Sequence, residues 1–460
     1  MKRLLFLFLL LCLSYWISPA QNPTIQLDDF HSWAKTPAMG WNSWDCYGPT
    51  VNEDEVKANA DYMAAHLKKF GWEYIVIDIR WYVDNEKSHG YNEKDPAFVM
   101  DKYGRFLPST VRFPSAANGA GFKPIADYLH SKGLKFGIHI MRGIPMEAVK
   151  RNTPVLGSSA KAADIYNSDL LCKWLKDMYT VDCTKSGAQE YYNSIFELYA
   201  SWGLDFVKID DLTRPYHQGE IELIRKAIDR SGRKIVLSTS PGETPLAYAE
   251  HIQQNANMWR IVDDLWDNWN QLKEEFDACA RWASHSGDSH FPDGDMLPLG
   301  HIGLRAERGN DRMSSLTKDE QVTLMTLFSI FRSPLMFGGN LPDNDKFTLK
   351  LLTNRDVLYV NQHSSGNRQL FNKDGKIAWM ANDPLTRDKF LAVFYASDSA
   401  SSTNIGGAVT LPVDLTLLGI DGSCLVKDLW SGKVLRNFSK EFAPQIRPHA
   451  SGLYRIKIKS

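Results

Sequence analysis

The chain has 460 residues, enough for more than one domain and a large core, and its 53 basic and 54 acidic residues leave a net charge of −1. That balance, without any basic run, argues against a nucleic-acid or other polyanion partner and favours an uncharged one. The 14 Trp and 18 Tyr suit the apolar C–H faces of sugar rings, although most such residues serve as core packing.

Met1, Lys2 and Arg3 precede an apolar stretch at 4–17 and small residues at Ser18 and Ala20. This is the pattern of a cleaved secretory leader. Segment 1–20 is read as a signal peptide and the mature protein as exported, periplasmic or extracellular, with a retained anchor as the alternative. Cys12 follows leucines rather than a small residue, so it is a poor lipid-attachment site. No later run is apolar enough to span a bilayer, and no stable membrane insertion is expected. The remaining cysteines, Cys46, Cys172, Cys183, Cys279 and Cys424, are odd in number and lack Cys-x-x-Cys spacing. A disulfide framework or zinc site is not expected; whether Cys172 and Cys183 pair depends on a Cα separation that sequence does not give.

From about residue 36, short β-rich runs alternate with helical patterns, as in parallel βα units. The first half predicts strands at 38–41, 74–79, 134–140 and 205–209, with helices at 53–69, 124–132 and 188–202. Strands at 235–238, 259–262, 296–299 and 335–337 follow, with helices at 220–230, 271–283 and 318–330. Pro298 and Pro334 disturb the last two strands. Eight strands fit one (β/α)8 TIM barrel, assigned to residues 30–362. The stretch 141–185 is irregular, either a loop shaping the substrate site or a plain surface excursion. After Asn361, strand-like runs at 377–380, 390–395, 408–411, 424–428 and 453–458 predict an antiparallel C-terminal β-sandwich domain at 366–460. The Ser-rich segment 397–403 reads as a loop.

Two segments, LDFVKIDD at 204–211 and MWRIVDDLWDNW at 258–269, run a strand pattern straight into carboxylates. In a (β/α)8 barrel the active site gathers at the carboxyl ends of the strands, so Asp210 and Asp264 form a candidate catalytic pair. Glycoside hydrolysis needs such a pair, one carboxylate on the sugar and one protonatable carboxyl on the leaving-group side. Lys208, two residues before Asp210, points to the same side of its strand and is expected to help keep Asp210 ionised. Arg260, four residues before Asp264, is expected to order the second acid. An ion pair closing the barrel mouth would explain the same pattern. No EF-hand loop, His-Glu-x-x-His zinc signature or Gly-x-Ser-x-Gly elbow occurs, so neither a metal nor a cofactor is called for.

Several motifs in order resemble glycoside hydrolase family 27, the α-galactosidases and α-N-acetylgalactosaminidases. They are Thr36-Pro37-Ala38-Met39-Gly40-Trp41-Asn42-Ser43-Trp44, Ile77-Asp78-Ile79-Arg80-Trp81, Val207-Lys208-Ile209-Asp210, Trp259-Arg260-Ile261-Val262-Asp263-Asp264, Asp295-Met296-Leu297 and Val360-Asn361-Gln362. The resemblance spans nearly the whole mature chain. It implies a retaining mechanism, with Asp210 as nucleophile, Asp264 as acid/base, and Trp41, Asp78, Lys208 and Arg260 lining the sugar pocket. Asp211 and Asp263 are neighbouring decoys. Where the family's galactosidases carry two adjacent acids after the second strand, gripping the O4 and O6 hydroxyls, this chain has Asp78-Ile79. Losing a polar anchor favours a sugar such as L-arabinopyranose, galactose without its hydroxymethyl group. Ser240 falls where galactosidases have Glu and N-acetylgalactosaminidases have Ser, yet Glu243 lies near a place where the latter need a small residue. His139 and Met141 replace the family's common Tyr and Asp. The expectation is an exported retaining exo-glycosidase acting on terminal α-D-galactosyl residues of an oligosaccharide or polysaccharide. A β-L-arabinopyranosidase, an α-N-acetylgalactosaminidase and a non-catalytic carbohydrate-binding protein are the alternatives. Oligomeric state is not legible.

Overall fold

The computed structural model describes residues 29–287, 289–397 and 407–458. The expected signal peptide at 1–20 and most of the Ser-rich segment 397–403 lie outside them.

Eight parallel strands carry the first part of the chain: β1 (Met39–Asn42), β2 (Tyr74–Ile77), β3 (Lys135–Met141), β4 (Phe206–Asp210), β5 (Val236–Thr239), β6 (Met258–Arg260), β7 (Phe291–Asp293) and β8 (Leu335–Phe337). They lie side by side in the order β7-β6-β5-β4-β3-β2-β1-β8. Most of their residues are buried, because helices cover one face and packed side chains fill the other. Gly40 is needed where β1 meets β2, since a Cβ there would stand 2.6 Å from the Tyr74 Cβ.

One strand differs from the sequence expectation. The seventh strand is Phe291–Asp293, not 296–299. Asp295, at φ 88°, turns the chain between the two segments. Leu297 then closes the ring, donating its N–H to the Met336 carbonyl at 2.7 Å and accepting from the Gly338 N–H at 3.0 Å. The prolines at 292 and 298 hid this arrangement from a strand pattern.

The covering helices include α1 (Glu53–Tyr62), α2 (Lys123–Ser131), α3 (Ala188–Trp202), α4 (Gln218–Arg230), α5 (Trp269–Trp282) and α6 (Lys318–Phe331). Reciprocal bonds between Asn52 and Glu55, and between Thr317 and Glu320, cap α1 and α6. The predicted helix at 53–69 changes hydrogen-bond register at Met63–Leu67 and ends in a turn at Lys68–Phe70.

The C-terminal part is a six-stranded antiparallel sheet of β9 (Ser365–Lys373), β10 (Lys376–Asn382), β11 (Lys389–Tyr395), β12 (Cys424–Asp428), β13 (Val434–Phe438) and β14 (Ser451–Ile458), in the order β9-β10-β11-β14-β12-β13. Alternation decides its two faces. Ile377, Trp379 and Ala381 join the barrel's core, whereas Ala378 and Met380 join a second core with Leu411, Val413 and Phe442. Helix α6, buried along its whole length from Thr323 to Phe331, lies between barrel and sheet.

Cys172 and Cys183 are unpaired, as are the other described cysteines. No described helix is long and apolar enough to cross a membrane.

Candidate active site

The strand ends and the loops that follow them enclose a cavity of about 510 Å³. Trp44 and Asp45 come from beyond β1, Asp78 and Ile79 from beyond β2, His139 from β3, Lys208 and Asp210 from β4, Ser240 from beyond β5, Arg260 from β6, Asp264 from beyond it, and Asp295 from beyond β7. His139, Lys208, Asp210 and Arg260 reach the cavity from the strands themselves, whose residues alternate between the helix layer and the barrel axis. Tyr91 and Trp174, from two long loops, complete an aromatic wall; Tyr91 stacks on Trp44 with ring centroids 5.8 Å apart.

Asp78 is the most heavily bonded acid. Its Oδ2 accepts from Asn42 Nδ2 at 2.8 Å and lies 3.6 Å from Lys208 Nζ, while its Oδ1 is 2.7 Å from His139 Nδ1. Burial opposes its charge, but His139 and Lys208 outweigh burial and hold the carboxyl well below its ordinary value. The Lys208 ammonium is held above its ordinary value: burial opposes this, and Asp78 and Asp295 overcome it. Lys208 therefore pairs with Asp78 rather than with Asp210, which the sequence spacing had favoured. Asp210, 4% exposed, has Oδ1 bonded to the Asp211 N–H at 2.6 Å and Oδ2 3.0 Å from His139 Nε2.

Arg260 is a buried fork between two acids. Its Nη1 reaches Asp295 Oδ1 at 2.6 Å and its Nη2 reaches Asp264 Oδ1 at 3.2 Å. The Asp264 side chain is 40% exposed, the more open of the candidate pair. Its carboxyl is held low against the effect of burial, by Arg260 first, then Lys208 and Arg308. Asp295 is pushed up by burial and the Asp264 charge, despite Arg260. Asp45 is raised well above its ordinary range by burial and by Asp295. Its Oδ2 has no hydrogen-bond partner, and it sits where any Cβ on Gly338 would collide with it.

Among the expected pocket residues, Asp78, Lys208, Asp210, Ser240, Arg260 and Asp264 line the cavity. Trp41 does not. It is fully buried in the barrel wall, its indole N–H donating to the Gly339 carbonyl at 2.8 Å. Trp44, three residues later and past the strand end, supplies the ring instead. Both tryptophans belong to one motif, and only the end of β1 separates wall from pocket. Asp211 turns to Arg142, 2.8 Å away, and Asp263 to Arg214. Glu243 pairs with Arg281 at 2.9 Å and is not part of the cavity wall. Asp45, Tyr91 and Trp174 carried no signal in the sequence reading. Among the described residues no cluster of His, Cys, Asp and Glu could hold a metal ion.

The family model described as alpha galactosidase A, Melibiase_2, matches residues 148–363. Alpha-galactosidase 2 of Arabidopsis thaliana is 27% identical over 433 residues, 92% of this chain and 90% of that protein. Among solved structures, a β-L-arabinopyranosidase from Geobacillus stearothermophilus is 50% identical with a TM-score of 0.90, over 93% of this chain and 98% of that one. A Bacillus halodurans protein provisionally assigned as an α-N-acetylgalactosaminidase is 48% identical with a TM-score of 0.82, over 92% of this chain and 97% of that one. The chain belongs to glycoside hydrolase family 27, and it is a glycoside hydrolase.

Proposed function

We propose that this hydrolase releases terminal β-L-arabinopyranosyl residues, with retention of configuration, and cleaves α-D-galactosides more slowly. The observation that carries the sugar choice is Ile79, buried in the cavity wall directly after Asp78. By the family resemblance, that position holds a second acid in galactosidases, where it meets the hydroxymethyl oxygen. An isoleucine offers that oxygen no hydrogen bond and leaves it desolvated, whereas arabinopyranose has no such group. The 50% identity to an arabinopyranosidase supports the same choice.

In this reading Asp210 attacks the anomeric carbon and Asp264 protonates the departing oxygen, then activates water. The positions support these roles: Asp210 lies deep in the cavity, whereas the more open Asp264 stands where a leaving group can depart. Asp78 and Lys208 bind sugar hydroxyls. A second sugar, α-N-acetylgalactosamine, draws support from Ser240 in the wall and from the 48% identical relative. The binding-protein alternative has no observation in its favour in a chain of this family that keeps both carboxylates in the cavity. The export expected from segment 1–20 remains part of the proposal, and the amino-terminal sequence of the mature protein tests it.

The deciding experiment measures kcat/KM on nitrophenyl β-L-arabinopyranoside, α-D-galactopyranoside and α-N-acetylgalactosaminide for wild type and Ile79→Asp. Wild type is expected to favour arabinopyranoside over galactoside by about 10–200-fold, the range one small substituent supplies, and Ile79→Asp to narrow that ratio. Greater turnover of either other sugar by wild type would reject arabinopyranoside. The anomer released first, read by proton NMR, tests retention.

A further inference from the structure

His139 enters the cavity from β3 with its side chain 3% exposed. Its Nδ1 is 2.7 Å from Asp78 Oδ1 and its Nε2 is 3.0 Å from Asp210 Oδ2. Nε2 is within ion-pair distance of Asp210 but makes no hydrogen bond. A neutral imidazole donates from one nitrogen and carries a lone pair on the other. If Nδ1 donates to Asp78, a neutral ring would leave an unprotonated, electron-rich Nε2 3.0 Å from Asp210 Oδ2. The opposite tautomer would set a lone pair against Asp78, at the shorter contact. Either arrangement places like partial charges together.

Counting charges gives the same answer. The charged groups facing His139 are Asp78 from the end of β2 and Lys208 and Asp210 from β4. On its own side of the barrel, Arg142 is turned away, to Asp211 and Glu220. With a neutral histidine, Asp78 and Asp210 would share Lys208 with Asp295. A protonated ring adds a second cation beside them, and uncompensated buried charge is strongly disfavoured.

We propose that His139 is an imidazolium bridging Asp78 and Asp210, a positioning residue that ties the sugar-binding carboxylate to the nucleophile and sets a positive charge beside it. The proposal rests on Asp210 being the nucleophile. His139 transfers no proton in either step. Asp210 forms the bond to the anomeric carbon while the glycosidic oxygen departs with the proton of Asp264. Water then forms the new bond, gives a proton to Asp264, and Asp210 leaves as a carboxylate beside the imidazolium. That charge favours departure, because it stabilises the free carboxylate more than the ester, and it serves attack only by holding the carboxylate in place.

Two measurements test it. In nitrogen-15 NMR of the wild-type protein at pH 7, both His139 ring nitrogens are expected to carry protons, the signals being recognised by their shift in Asp210→Asn. A neutral tautomer at pH 7 overturns the proposal. In the second, kcat/KM is followed against pH for His139→Asn. An opposite charge within about 4–6 Å lowers a carboxyl pKa by about 1–3 units. Without the imidazolium the acid limb of kcat/KM should move up by at least about 1 pH unit. A merely structural histidine would lower activity at every pH without moving that limb, which also overturns the proposal. The NMR measurement stands even if His139→Asn does not fold. Failure of the reading beneath it would show separately, as undiminished turnover in Asp210→Asn.

Discussion

At the residue scale, Asp264 meets opposing demands. A general acid must hold a proton at working pH, yet Arg260, Lys208 and Arg308 favour its charged form. Protonated Asp264 is present below its lowered pKa, which lies under the ordinary carboxyl value, and is lost as pH rises through it, so kcat/KM should rise steadily as pH falls from 8 to 5. A flat profile from pH 5 to 8 would remove Asp264 from the acid role. Asp264→Asn should lower kcat by about 10²–10⁴ on substrates with poor leaving groups, the usual share of general acid–base catalysis, and much less on activated aryl glycosides. Beside the aromatic wall, Arg80 is fully buried, with Nε 2.9 Å from Glu86 Oε2 and 3.4 Å from Asp177 Oδ2, and its guanidinium lies over the Tyr91 ring. Arg80→Met would strand buried carboxylates and should cost about 3–5 kcal/mol in chemical denaturation. Both acids of the candidate pair were legible because each follows an apolar strand. Asp45, Tyr91 and Trp174 were not, because a loop residue becomes part of a site only when distant segments fold over it.

At the element scale, strand type was legible and strand ends were not. The segments at 188–202 and 424–428 occupy their predicted ranges. The seventh strand was misplaced because Phe-Pro-Asp is a poor β pattern, held by neighbours rather than by propensity. Strands β9 and β13 went unrecognised because they lie at the sheet's edges, half exposed and without clean alternation. The start of α6 depends on a local device: Thr317 accepts from the Glu320 N–H at 3.3 Å and Glu320 Oε2 accepts from the Thr317 N–H at 2.7 Å. Thr317→Ala should lower stability by about 1 kcal/mol in urea unfolding, with activity at saturating substrate unchanged. A loss below the error of extrapolation would show that tertiary packing alone holds this end.

For the whole molecule, the C-terminal sheet covers barrel surface that is not built for water. Phe276 of α5 meets Phe394 of β11 with ring centroids 5.0 Å apart, Trp430 Nε1 donates to Thr326 Oγ1 at 2.9 Å, and Thr323 Oγ1 donates to the His449 carbonyl at 2.7 Å. From Thr323 to Phe331 helix α6 is buried on every side, as expected for a helix packed between two layers. A chain ending at residue 363 would expose that helix and should be insoluble or lack near-ultraviolet circular dichroism. A soluble, cooperative fragment would show that the barrel folds alone. The sequence by itself determined the alternation of strands and helices, the two acids and the family pattern, because hydrophobic period and strand-end position are local properties. Only the tertiary structure decided that Trp44 rather than Trp41 faces the cavity, that Lys208 serves Asp78, and that His139 stands between Asp78 and Asp210. Those relations depend on barrel closure and on which side chains are sealed from water, and neither is encoded in any single segment.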